Sequence, residues 1–140
     1  MRPAGSEANL TSKIEQLQIE IGQAALGIAE GLAGKLLVYA EVVDRVISAD
    51  EFYVNQEGVV RFRFCSDPMR KLIYSFWETW KVQPGKKEWR TMSYVIDGGE
   101  FSLDLSYPDE VNLDEDVSDR RPLVVKKYFG DMKIDYSKPR

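Results

Sequence analysis

Two hydrophobic periods divide the chain. Ile14, Leu17, Ile21, Ala24, Ile28 and Leu32 recur every three or four residues, the spacing of an amphipathic helix. Ser12 and Glu15 stand in the relation of a capping box, so a helix is predicted over about 12–31. Gly22 and Gly27 each lower its propensity by roughly 1 kcal/mol, and Gly31 and Gly34 end it. The period then changes to two. Lys35–Asp44 (KLLVYAEVVD) reads as a strand, Glu51–Asn55 as a short second one, and Asn55–Gly58 as a turn. Val60, Phe62 and Phe64 alternate with Arg61 and Arg63, giving a third strand with one apolar and one charged face.

Ser66-Asp67-Pro68 opens a second helix, with a capping side chain followed by proline at the first helical position. Met69, Leu72, Ile73, Phe76, Trp77 and Trp80 form its wide apolar face, and Pro84-Gly85 closes it. Trp89–Ile96 is predicted as a fourth strand, Asp97-Gly98-Gly99 as a hairpin turn, and Phe101, Leu103, Leu105 and Tyr107 as the apolar face of a fifth. Asp109–Asp119 lacks a usable period and reads as a loop. Arg120–Phe129 reads as a last helix with Pro122 in its first turn. The order α-β-β-β-α-β-β-α predicts an α+β fold: one domain over 12–130, with helices packed on an antiparallel sheet of about five strands. Residues 1–11 read as a frayed lead-in and 131–140 as a tail.

Length and composition agree with that plan. The chain of 140 residues is the size of one ordinary domain and, at 44% hydrophobic residues, it can bury a core without a metal or disulfide staple. A single cysteine, Cys65, excludes an intrachain disulfide and points to a reducing compartment, the cytoplasm. The first residues carry no apolar run of the signal-peptide kind, and no apolar stretch approaches the roughly 18 residues of a membrane span. The expected protein is therefore soluble and free of membrane.

Charge is distributed unevenly. The net charge is −4, from 23 acids and 19 bases, yet seven of the acids fall between Asp104 and Asp119, where there is no base. Such a patch attracts partners of opposite sign and argues against direct contact with nucleic acid. The chain has no histidine, which excludes Ser-His-Asp and Cys-His catalysis and imidazole metal sites. The run Asp114-Glu115-Asp116 lacks the alternation and central glycine of a calcium loop, so a solvated loop or a partner-facing one are the competing readings. With 23 acids, no spacing singles out a glycosidase-like pair. Cys65 reads as a small core residue rather than a nucleophile. Arg61 and Arg63 read as a solvated sheet face or as partners of acids on a neighbouring strand. Trp77 belongs to the core, whereas Trp80 and Trp89, at element ends, are read either as core or as partly exposed anchors. The expected partner-binding residues are Tyr107, Asp109, Glu110, Asp114, Glu115, Asp116, Asp119 and Trp89; no catalytic, cofactor or metal residue is expected.

The segments KLLVYAEVVD (35–44), IYSFWETWKV (73–82), KEWRTMSYVIDGGEFSLDLSY (87–107) and DRRPLVVKKYFG (119–130) together resemble the YezG-type bacterial immunity proteins. The resemblance spans most of residues 35–130. It implies a small cytoplasmic inhibitor that binds the C-terminal domain of a cognate polymorphic toxin, often a nuclease, and protects the producing cell. It carries no catalytic motif, so it assigns no residue. A nuclease cleft is basic, and an acidic loop matches it in charge. An adaptor or secretion chaperone with a non-toxic partner, and an enzyme working with carboxylates alone, are the alternative readings. Oligomeric state is left open by the sequence.

Overall fold

A computed structural model of the chain describes residues 3–137, with side chains from residue 9 onward. The element order is the expected one: α1 (Pro3–Ile28), β1 (Leu32–Val43), β2 (Val46–Asn55), β3 (Val60–Phe64), α2 (Asp67–Lys81), β4 (Thr91–Asp97), β5 (Glu100–Ser106), α3 (Val117–Phe129) and a short β6 (Ile134–Asp135). The sheet runs β5-β4-β1-β2-β3-β6, antiparallel throughout except for the parallel pairing of β6 with β3. No helix among the described residues is long and apolar enough to cross a membrane.

Alternation in the long central strands builds two cores. Leu36, Val38, Ala40 and Val42 point to one face, where α1 and α2 cover them with Ile14, Leu17, Ile21, Met69, Ile73, Phe76 and Trp77. Leu37 and Tyr39 point to the other, where they meet Phe52, Val60, Phe62 and, from α3, Val125 and Phe129. Because β1 and β2 are buried on both sides, KLLVYAEVVD reads as a continuous apolar run rather than an alternating one. Close approach of α1 to the sheet depends on Gly22: a Cβ there would lie 2.5 Å from the Tyr94 hydroxyl, which is fixed by donating to the Gln18 carbonyl at 2.8 Å. The Gly98-Gly99 turn, with both φ values positive, closes the β4–β5 hairpin.

Four expectations on element limits are corrected. Residues 3–11 are helical, so α1 begins well before Ser12; proline suits the first turn of a helix, and the Ser12/Glu15 pattern lies inside it. The second strand begins at Val46, because β1 and β2 are joined by a tight turn at Asp44-Arg45, where both residues have positive φ (51° and 66°) without glycine to announce it. The tail contributes a sixth strand, because Ile134 and Asp135 find unpaired backbone on β3, and Arg61 reaches Asp135 at 3.6 Å. The stretch 109–119 is more ordered than a loop: a 3-10 turn spans Pro108–Glu110, and α3 starts at Val117 rather than Arg120 because Asp116 caps it.

Glu51 is an exception to the core's chemistry. It lies opposite Val38 and Arg63 on the face under α1 and α2, is fully buried, and neither carboxyl oxygen has a hydrogen-bond partner. Burial pushes its pKa up to about 9 from an ordinary 4.5, with the Arg63 charge opposing only weakly. The folded state therefore holds a proton that the unfolded state releases above about 4.5, and stability falls as pH rises between about 4.5 and 9. The limiting slope is about 1.4 kcal/mol per pH unit. Glu51→Gln should flatten that part of the stability–pH curve, as measured by urea unfolding; an unchanged slope would show that Glu51 is not the titrating group.

Candidate functional site

Beneath the first turns of α3, beside the apolar cluster, the sheet presents acids. Glu41 and Asp50 alternate onto that face from β1 and β2 and are 1% and 4% exposed. Tyr39 lies between them, and its hydroxyl donates to Glu41 Oε2 at 2.6 Å. A buried carboxylate must be paired, and α3 supplies the partners. Arg120 grips Glu41 with two bonds, Nε to Oε2 at 2.9 Å and Nη2 to Oε1 at 2.7 Å, and Arg121 bonds Asp50 through Nη1. Arg90 adds its charge 3.8 Å from Glu41 Oε1. Burial alone would raise the Glu41 pKa, but the Arg120 and Tyr39 hydrogen bonds and the Arg120 and Arg90 charges outweigh it and hold Glu41 below its ordinary value. Burial and the neighbouring Glu41 push Tyr39 upward, so it stays a phenol and keeps donating.

The same guanidinium controls the acidic segment. Arg120 Nη1 donates to the carbonyls of Asn112 and Glu115, each at 2.8 Å. Four of its bonds thus join β1, the segment and α3 at one point. The segment is closed further by its own acids. Glu110 Oε1 accepts from the Tyr107 N–H at 2.9 Å. Asp116 Oδ1 accepts from the N–H groups of Ser118 and Asp119, and Asp119 Oδ2 accepts from the Asp116 N–H, a reciprocal capping box. The Ser118 hydroxyl, followed by the two backbone bonds, holds the Asp116 carboxyl below its usual range.

The expected binding residues therefore separate by task. Glu110, Asp116 and Asp119 are exposed but occupied in shaping their own backbone. Asp109 is exposed and 3.9 Å from Lys87. Asp114 and Glu115 are exposed, and their carboxylates have no partner among the described residues. Tyr107 is half-buried: its hydroxyl accepts from Trp80 Nε1 at 3.1 Å and its ring lies 5.3 Å from the Lys87 ammonium, so it latches α2 to the segment. Trp89 is corrected outright. It is 1% exposed and packs on Phe76 at 6.0 Å, while its carbonyl accepts from Trp77 Nε1, so it is core and cannot anchor a partner. Cys65 is buried, as expected, and burial among Glu51 and Asp50 raises its thiol pKa. The residue that organises the surface, Arg120, was not among the expected site residues. Its only trace in the sequence is a lone acid, Glu41, inside an apolar strand.

Beside the segment lies an open groove of about 710 Å³ between Lys81, Lys87, Glu88 and Asp109, with charges of both signs. Among the described residues no three or more acidic or thiol side chains gather as metal ligands would. The acid with a strongly raised pKa, Glu51, is sealed from solvent. Family models give no match to the chain, and no curated protein matches it.

Removing Arg120 leaves Glu41 charged and buried, a defect that costs about 3–5 kcal/mol. Arg120→Ala should lower unfolding free energy by that amount, whereas Asp114→Ser should stay within about 0.5 kcal/mol of the parent. Equal, small effects in denaturant titrations would contradict the assigned role of Arg120.

Proposed function

We propose that this chain is a stoichiometric inhibitor of a basic protein, an immunity protein of the kind its YezG-like segments imply, acting in the cytoplasm on the catalytic domain of a cognate toxin. It binds and performs no chemistry itself. The observation that carries the reading is the presentation of carboxylates on a fixed backbone: Asp114 and Glu115 are exposed and have no partner among the described residues, next to carbonyls that Arg120 clamps to the sheet.

Preorganisation of this kind suits an inhibitor. Ordering a flexible loop on binding costs affinity, and a loop already ordered avoids that cost. Exposed acids at the rim of an interface accelerate encounter with a basic cleft and set the salt dependence, while buried contacts determine how long the complex lasts. Asp109 has a nearby lysine to screen it, so Asp114 and Glu115 carry most of the attraction.

The test is co-purification with the product of the adjacent gene, followed by stopped-flow association at low and high salt. Asp114→Ser/Glu115→Ser should retain the fold, slow association about 3- to 10-fold at low salt, and converge on the parent at high salt. Asp116 is left intact because it caps α3. Unchanged association at low salt would remove the segment from the docking surface. Failure of the chain to rescue cells expressing the bound partner would reject the immunity role and favour an adaptor.

A further inference from the structure

The two edges of the sheet are finished differently. On one side β6 covers part of β3. On the other, β5 pairs with β4 alone, and nothing pairs with its outer edge among the described residues. Sheet edges are normally blunted by proline, charged side chains or a bulge. β5 has no proline and no bulge: Glu100–Ser106 runs in unbroken register against β4, and two acids, Glu100 and Asp104, are its only charges. One face of it bears Phe101, Leu103 and Leu105, on the side of the sheet that α1 and α2 cover; the other bears Ser102, Asp104 and Ser106, on the side of α3, whose Lys127 reaches Asp104. Phe101 stacks on Tyr94 at 5.1 Å, yet it is 46% exposed. With Ile19 and Leu26 of α1, which are exposed to a similar degree, it lines an apolar groove of about 370 Å³ between α1 and the turn end of the β4–β5 hairpin, where β5 begins.

We infer that the outer edge of β5 is a self-association surface, on which a second copy of this chain adds its own β5 antiparallel about a two-fold axis at Leu103. The pattern of side chains selects that occupant and that register. A two-fold at Leu103 places Leu103 against Leu103, Phe101 against Leu105, Ser102 against Asp104 and Glu100 against Ser106, so apolar meets apolar and each acid meets a serine. Moving the register by one residue puts apolar side chains on the face of the serines. Moving it by two sets Asp104 opposite Glu100 in one direction and opposite Asp104 in the other, both repulsive. The Leu103-centred register therefore has the longest overlap without an acid–acid pair. Lys127, with Nζ 3.6 Å from Asp104 Oδ2, supplies each copy with a cation that offsets the diagonal approach of the two Asp104 side chains. The exposed Phe101 of one copy gains the partner's Leu105 as a neighbour at the mouth of the groove. The assembly is one continuous sheet with one acidic segment on each copy.

The experiment is sedimentation equilibrium of the full chain from about 1 to about 100 µM, with light scattering as a check. A concentration-dependent dimer is expected. Ser102 is exposed and faces Asp104 of the other copy in the inferred register. Ser102→Asp creates two symmetry-related acid pairs and should raise the dimer dissociation constant about tenfold; Ser102→Lys creates two opposite-charge pairs and should lower it. Far-UV circular dichroism establishes that both variants are folded, and the opposite signs separate a register effect from damage. A chain that is monomeric throughout the range overturns the inference. So does a dimer indifferent to both substitutions, since it would lie on another face.

Discussion

The structure turns on one buried ion pair. Glu41 comes from the buried stretch near the C-terminal end of β1, and Arg120 from the first turn of the last helix, 79 residues later. Taking both charges out of water costs several kcal/mol, and apolar side chains of equal volume would hold α3 to the sheet at least as well. What apolar packing cannot do is fix a backbone. The guanidinium has five N–H donors in a rigid fork, and four of its bonds here are divided between one carboxylate and two loop carbonyls. The pair therefore sets both where α3 sits and what shape the acidic segment takes. Asp50 and Arg121 repeat the motif one position along, making the contact between α3 and the sheet directional rather than greasy.

That arrangement gives the acids of the segment different roles. Three of them satisfy N–H groups that a short turn and a helix start leave exposed, while Asp114 and Glu115 face solvent. The negative charge that distinguishes this part of the chain is thus partly structural and partly available. An inhibitor that works by occupying a basic cleft needs both: carboxylates to offer, and a backbone that does not have to be ordered when they are engaged.

Much of the fold was legible because it rests on local signals. Period-two alternation at Val60–Phe64 and Phe101–Leu105, the glycine pair at 98–99 and the Ser66-Asp67-Pro68 start of α2 each specify their element without help from the rest of the chain; the Ser66 side chain does accept from the Met69 N–H. What was not legible depends on contacts distant in sequence. The Asp44-Arg45 turn has no glycine and is imposed by the pairing of β1 with β2. The two residues of β6 are a strand only because β3 has free backbone to offer. The run of acids before α3 read as a loop because charge density hides a capping residue. Trp89 illustrates the same limit from the other side: an aromatic residue at the end of an element is equally consistent with core and surface, and only the packing of Phe76 and Trp77 decides it. At the candidate site the exposed acids were visible in the sequence as charge, whereas the arginine that positions them was not.

Glu41, acting through Arg120, holds the acidic segment in shape, and amide hydrogen exchange measures this directly. In the parent chain the N–H groups of Glu115, Ser118 and Asp119, which are bonded within the segment, should exchange slowly. In Glu41→Gln they should exchange about tenfold faster or more, while the paired amides of β1 and β2 keep most of their protection. If those three amides keep their protection in the folded variant, the segment holds its shape by itself and not through Glu41.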